Sequence, residues 1–316
     1  MFDRMKREAM FDRTKLRGVV VPAVTPFEDD GCTVSEPGVH QLVEFLVEQG
    51  IHGIFVAGTT GEAPALDDLQ WRRLVQAASK ALRGRVPLLA GVIAPTTALA
   101  AARARQAADL GADVVVATTP YYYLPTQREL LGHFQAIARA TPLPVLLYNI
   151  PQNTKVPIGL AACRELAGLG QIVGLKDSAG NVTEFRQAVT ALRAGGRDFR
   201  MFLGTDHLTD VAVLVGAQGT VPSLGNVAGR ELVAAFEAAE AGDWARSARH
   251  QERAAALARI YDVRGEIHQT GIIVGLKCAL TLLGIPAGPP APPALPPTGE
   301  EVRQVEAILR EGGLLP

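Results

Sequence analysis

Cysteine is scarce in this chain, and its placement excludes a disulfide scaffold. Cys32, Cys163 and Cys278 are odd in number and far apart, which fits reduced thiols in a cytoplasm. They form no CxxC pair, and the six histidines form no HxxxH pair, so no metal is expected. Neither sign of charge is in surplus. The net charge of −1 gives no reason to expect a nucleic-acid partner. No GxGxxG or GxxxxGK[ST] stretch is present either, so the Gly-rich phosphate loops of nucleotide-binding folds are missing. Long apolar runs are missing too: "TGIIVGLKCALTLLG" (270–284) is too short to read as a membrane span. The N-terminus lacks the apolar core of a signal peptide. Lysine is also rare, with only Lys6, Lys15, Lys80, Lys155, Lys176 and Lys277. A chemistry that needs an amine has few candidates.

Short β-type runs recur instead: "GVVVPAV" (18–24), "HGIFVAG" (52–58), "VPLLAGV" (86–92), "DVVVATT" (113–119), "PVLLYNI" (144–150), "QIVGLK" (171–176), "FRMFLG" (199–204) and "QGTVPS" (218–223). Helical patterns lie between most of them, such as "VHQLVEFLVEQG" and "LQWRRLVQAASKAL", with apolar residues three and four apart. Strand–helix alternation of this kind predicts a parallel sheet. Eight repeats in roughly 230 residues match a closed (β/α)8 TIM barrel. An open doubly wound sheet is the structural rival, but it would favour the Gly-rich loop that is missing. Beyond about residue 228 the strand signal stops and helical patterns take over. The division expected is an N-terminal extension (1–16), a catalytic barrel (17–228) and a C-terminal helical region (229–316) with a Pro-rich segment (286–297). Thr298 reads as the N-cap of the last helix.

In such barrels the active site lies at the C-terminal ends of the strands. Those ends hold Thr25-Pro26, "GTTGE" (58–62), "TTPYYY" (118–123), Tyr148-Asn149, Lys176 and Gly204-Thr205-Asp206. One amine among hydroxyls and phenols suits imine chemistry on a carbonyl compound. An amine enclosed by apolar strands loses hydration of its charged form, and the neutral amine attacks a ketone to give a Schiff base. A phenol linked to threonine hydroxyls shuttles protons when aligned. Backbone N–H groups of "GTTGE", if it opens a helix, hold a carboxylate. Each residue also has a plainer reading. Lys176 is a solvated rim lysine; the tyrosines are packing aromatics; Glu62 caps a helix or makes a local hydrogen bond; His207 is a polar loop residue. Lys277 is the rival amine, expected to snorkel from a helix outside the barrel.

These residues resemble the dihydrodipicolinate synthase / N-acetylneuraminate lyase family of class I aldolases. The resemblance covers about residues 17 to 312. It rests on "TPF" (25–27), "GTTGE", "TPYYY" (119–123), "LYNIP" (147–151), "GLKDSAGN" (174–181) and "GTD" (204–206). It implies a Schiff base with pyruvate or another 2-oxo acid on Lys176, with Tyr148 as the proton-transferring phenol. Thr59 and Tyr122 complete the relay, Tyr122 reaching into a neighbouring subunit of a homotetramer or homodimer. Thr60 and Gly58 belong to the carboxylate-binding loop; Gly204 and Val221 line the pyruvate pocket. No cofactor is implied.

One departure bears on the second substrate. Where synthases carry an Arg in "YNxPxRT", this chain has Asn153 in "YNIPQNT". Asn has neither the charge nor the guanidinium fork. The "PxNT" form is similar to the 4-hydroxy-2-oxoglutarate aldolase branch, whereas "GTTGE" is the synthase-like form. The resemblance implies a lyase cleaving or condensing beside the imine, like that aldolase, with an aldehyde or sugar-acid co-substrate. Alternatives are 4-hydroxy-tetrahydrodipicolinate synthase, acting on pyruvate and aspartate semialdehyde, and a dehydratase of 2-oxo-3-deoxy sugar acids. A binding protein that kept the barrel would have no need of Lys176 and Tyr148. A phosphate-binding barrel enzyme would want a stronger anion loop than "SLGNVAG" (223–229).

Overall fold

A computed structural model describes residues 11–196, 198–265 and 269–316. Eight parallel strands close into a barrel in chain order. They are β1 (Gly18–Pro22), β2 (Gly53–Val56), β3 (Leu88–Gly91), β4 (Val114–Thr118), β5 (Val145–Asn149), β6 (Ile172–Asp177), β7 (Arg200–Leu203) and β8 (Gly219–Thr220). The fold is the (β/α)8 barrel expected from the alternating pattern, with helices following its last strand. Helices cover the outside and side chains fill the inside, so both faces of each strand are buried. That is why "VVV" runs appear in place of apolar–polar alternation. β8 is the shortest strand, and Val221 N–H just past it still donates to Leu203 O.

The helices begin where their sequences cap them. Ser35, Asp67, Thr96 and Asn181 each accept a backbone N–H in the first turn of the helix that follows. Thr126 and Thr298 form full capping boxes with Glu129 and Glu301. After β8 come Gly225–Glu240, Trp244–Leu257, Gln269–Leu282 and Gly299–Glu311, the first of them broken at Ala228. The strand pattern and the helical pattern therefore meet beside a real break in the chain's path. No described helix is long and apolar enough to cross a membrane. Helix Gln269–Leu282 is instead buried on nearly all sides.

Most of the N-terminal extension, residues 1–10, lies outside the described residues. From Phe11 the chain is placed, with a turn at Arg13–Lys15 and Leu16 buried in the core. The Pro-rich segment runs back over the barrel rim: Phe27 N–H donates to Ala287 O, and Ala291 N–H donates to Glu62 Oε2 at 2.6 Å.

Candidate active site

Lys176 is the penultimate residue of β6, and Tyr148 is its register partner on β5. Partnered residues of parallel strands project from the same face. That face is the barrel interior, because the Tyr148 ring also meets Phe55 of the non-neighbouring β2, edge to face at 6.2 Å. Lys176 is only 4% exposed. Its Nζ lies 3.8 Å from the Tyr148 ring centroid and 5.1 Å from that of Phe55. Among the described residues no carboxylate pairs with this amine. Glycine at 204 leaves room for the lysine: a Cβ there would come 2.0 Å from Ser178 Oγ and 3.1 Å from Lys176 Cε.

The "GTTGE" loop stands opposite. Thr59 Oγ1 and Tyr148 Oη are hydrogen-bonded at 3.2 Å. Thr60 Oγ1 meets Ser223 Oγ at 2.9 Å, joining the β2 and β8 ends. Thr25 Oγ1 donates to Gly61 O at 2.6 Å from beneath. Gly58 lies against the Phe55 ring so closely that a Cβ would stand 2.8 Å from it. Ala57 (φ 51°) and Glu62 (φ 55°) bracket the loop in left-handed conformations. Such backbone costs about 1–3 kcal/mol per non-glycine residue and clusters at functional sites. The loop does not open an α-helix, as the carboxylate argument supposed: a short 3-10 turn at Ala63–Ala65 intervenes, and the helix starts at Asp68. Any carboxylate held here meets loop groups and threonine hydroxyls, not a helix terminus.

Neighbouring strand ends are braced. Asn149 Nδ2 donates to Asp177 Oδ2 (2.9 Å), and Ile158 N–H donates to Asn149 Oδ1 (2.9 Å). Burial raises the Asp177 carboxyl pKa against the hydrogen bond from Asn149. Asp206, after β7, accepts from Leu224 N–H at 2.8 Å and from Tyr261 Oη at 3.3 Å. Burial pushes the pKa of Asp206 up, and burial with the neighbouring Asp206 pushes that of Tyr261 well up. The loop after β7 is thus tied both to β8 and to the C-terminal helices. Val221 is buried just past β8.

Two expected residues stand apart from this cluster. Tyr122 is 84% exposed, at φ 81° and edge to face with Tyr123. Asn153 is exposed in the short turn Pro151–Thr154. Gln152 Nε2 donates to Ser178 O at 2.8 Å, holding that turn beside the loop after Lys176. His207 is an exposed loop residue, as expected. Among the described residues no group of three or more His, Cys, Asp or Glu is placed to hold a metal ion.

The model of the dihydrodipicolinate synthetase family matches residues 15–312. The chain belongs to that family. The 4-hydroxy-tetrahydrodipicolinate synthase of Moorella thermoacetica is 36% identical over 94% of this chain and 98% of its own. An uncharacterized DapA-like lyase of Halobacterium salinarum is 34% identical over 96% of each. Among solved structures, YagE, a prophage protein of the dihydrodipicolinic acid synthase family from E. coli K12, was determined in complex with pyruvate. It superposes with a TM-score of 0.88 at 27% identity, covering 94% of this chain and 99% of that one. This chain is accordingly a lyase of the dihydrodipicolinate synthetase family.

The family's fold places the rival amine as well. Lys277 does not snorkel: it is 2% exposed. Its Nζ lies 2.6 Å from Glu62 Oε1, donates to Pro289 O at 2.8 Å and sits 4.3 Å from the Phe27 ring centroid. Burial lowers the Lys277 pKa while Glu62 opposes the shift. Glu62 is no local cap; its partners come from the C-terminal region. Phe55 and Ser223 were the contacts that sequence reasoning missed. Ser223 follows the last strand, which was a usable signal. Phe55 sits in an apolar run and gave none.

Proposed function

We propose that this protein is a cofactor-independent class I lyase that forms a Schiff base between Lys176 and pyruvate or a related 2-oxo acid. The observation that carries the reading is a buried lysine with no carboxylate partner among the described residues, facing a tyrosine already bonded to a threonine of the opposite loop. The Lys176 amine adds to C2 of the 2-oxo acid, and water leaves to give an iminium. The iminium draws electrons from C3, so a C3 proton departs and an enamine forms. The enamine adds to an aldehyde carbonyl; the reverse path breaks that carbon–carbon bond. Thr59, Thr60 and the Gly58 backbone bind the carboxylate. Tyr148 and Thr59 carry protons to and from the departing oxygen. Gly204 and Val221 shape the space around C3.

The relay is completed across a subunit boundary. An exposed Tyr122 fits a homotetramer or homodimer in which this ring enters the partner's site. For the co-substrate we favour a 4-hydroxy-2-oxo acid, cleaved to pyruvate and an aldehyde. Asn153 is the basis, since it offers hydrogen bonds but no charge beside the loop that follows Lys176. The relative named as a synthase supports the second reading, condensation of pyruvate with aspartate semialdehyde.

Trapping tests the central claim. Pyruvate with borohydride is expected to add a reduced pyruvyl group to one site per chain, mapped by peptide mass to Lys176. An adduct on Lys277, or none, overturns the reading. Turnover of hydroxy-oxoglutarate beside that of aspartate semialdehyde then separates the two co-substrates. Faster synthase turnover would remove the inference drawn from Asn153.

A further inference from the structure

Thr118 is the last residue of β4 and the register partner of Tyr148. Tyr148 is in turn the partner of Lys176. The three side chains therefore occupy one level of the inner barrel wall, on three successive strands. Thr118 is 4% exposed, and its Oγ1 has no hydrogen-bond partner among the described residues. Other buried hydroxyls around this rim are engaged: Thr25 with Gly61 O, Thr60 with Ser223 and Thr119 with Val156 O. Thr209 and Thr220 share the lack of a partner. Thr220, however, alternates with the inward Gly219, and Thr209 lies on an outer helix. Of the unpartnered threonines, Thr118 is the one at the level of the amine.

Its backbone is fixed from outside the barrel. His133 Nε2 donates to Thr118 O at 3.1 Å, and His133 Nδ1 accepts from Thr97 Oγ1 at 2.9 Å. Burial pushes the His133 pKa down to about 4, so the ring is neutral and this two-ended arrangement is its natural tautomer. The backbone is thus held, and the hydroxyl is buried with no partner among the described residues. A buried hydroxyl in that condition takes a water or a polar group of a ligand.

We propose that the Thr118 hydroxyl binds the water exchanged in imine chemistry at Lys176. The proposal rests on the Schiff-base reading above. Imine formation releases one water as the carbonyl oxygen of the 2-oxo acid leaves with two protons. Hydrolysis of the product imine consumes one water and restores the carbonyl. A hydroxyl beside Tyr148 accepts a hydrogen bond from that water while Tyr148 exchanges a proton with it. Thr118 is both donor and acceptor, so it serves the departing and the returning water alike.

The test follows transfer of 18O from solvent into the pyruvate carbonyl, after subtraction of the enzyme-free rate. Each enzyme-catalysed exchange requires one water to leave and another to enter. Thr118→Val keeps the shape and removes the hydroxyl. It is expected to slow exchange and turnover at least tenfold, to leave the KM for pyruvate within threefold, and to keep or raise the melting temperature. Thr118→Ser should return exchange to within threefold of the wild type. Should the Val variant not fold, Thr118→Ala is read the same way. Exchange at the wild-type rate in a folded variant without the hydroxyl overturns the proposal. Absence of a borohydride adduct on wild-type Lys176 is a different failure, that of the Schiff-base reading itself.

Discussion

Lys176→Ala is expected to abolish borohydride trapping by pyruvate and to lower kcat by at least about 10^4-fold, the scale on which loss of a covalent nucleophile is felt. The fold should survive. The amine touches aromatic faces and has no carboxylate partner among the described residues, so its removal strands no buried countercharge. Circular dichroism and a melting curve close to wild type, together with a silent trapping assay, are the expected pair of results. Turnover within tenfold of wild type would transfer the chemistry elsewhere. Lys277 is the amine to suspect then, because burial lowers its pKa. Its geometry argues against it: both the carboxylate and the carbonyl that hold it would have to be given up before it could attack a ketone.

Lys277→Met should have the largest effect on stability. Lys277 and Glu62 are both buried, and they form an ion pair at 2.6 Å. Removing one partner of such a pair leaves an uncompensated charge and costs about 3–5 kcal/mol. The expected readout is a lower denaturant midpoint with an unchanged slope. Replacing both partners, as Glu62→Gln with Lys277→Met, should recover much of the loss, since the remaining groups are neutral and of similar volume. A simple sum of the two single effects would show that the groups do not interact. The same single variant should raise the KM for the 2-oxo acid. Glu62 ends the loop that carries Thr59 and Thr60, and its left-handed backbone is held by contacts from the C-terminal helices and the Pro-rich segment. An unchanged KM in a destabilised variant would mean that the loop keeps its shape without the pair.

Much of this was legible in the sequence, for a local reason. Strand and helix patterns repeat over short windows, and each apolar run finds its neighbours in chain order, so the pattern alone determines a parallel barrel. The rim follows from that, because the residue closing each run lies at a C-terminal strand end. Lys176, Tyr148 and the "GTTGE" loop were found in this way. Other properties depend on which side chains meet across the barrel. Glu62 accepts a hydrogen bond from Ala291, 229 positions away, and no local pattern reports such a partner. The same pairing turned Lys277 from a snorkelling surface amine into a buried strap. Thr118 was only the end of a run until register put it level with Tyr148 and Lys176. Tyr122 marks the opposite limit: it is exposed, and its place in the relay rests on the oligomer proposed above. By itself, the sequence determined the barrel and the residues at its rim, because periodicity is a local property. The tertiary structure alone decided which buried lysine is paired and which hydroxyl is left unused, because burial and partnership depend on contacts between residues distant in the chain.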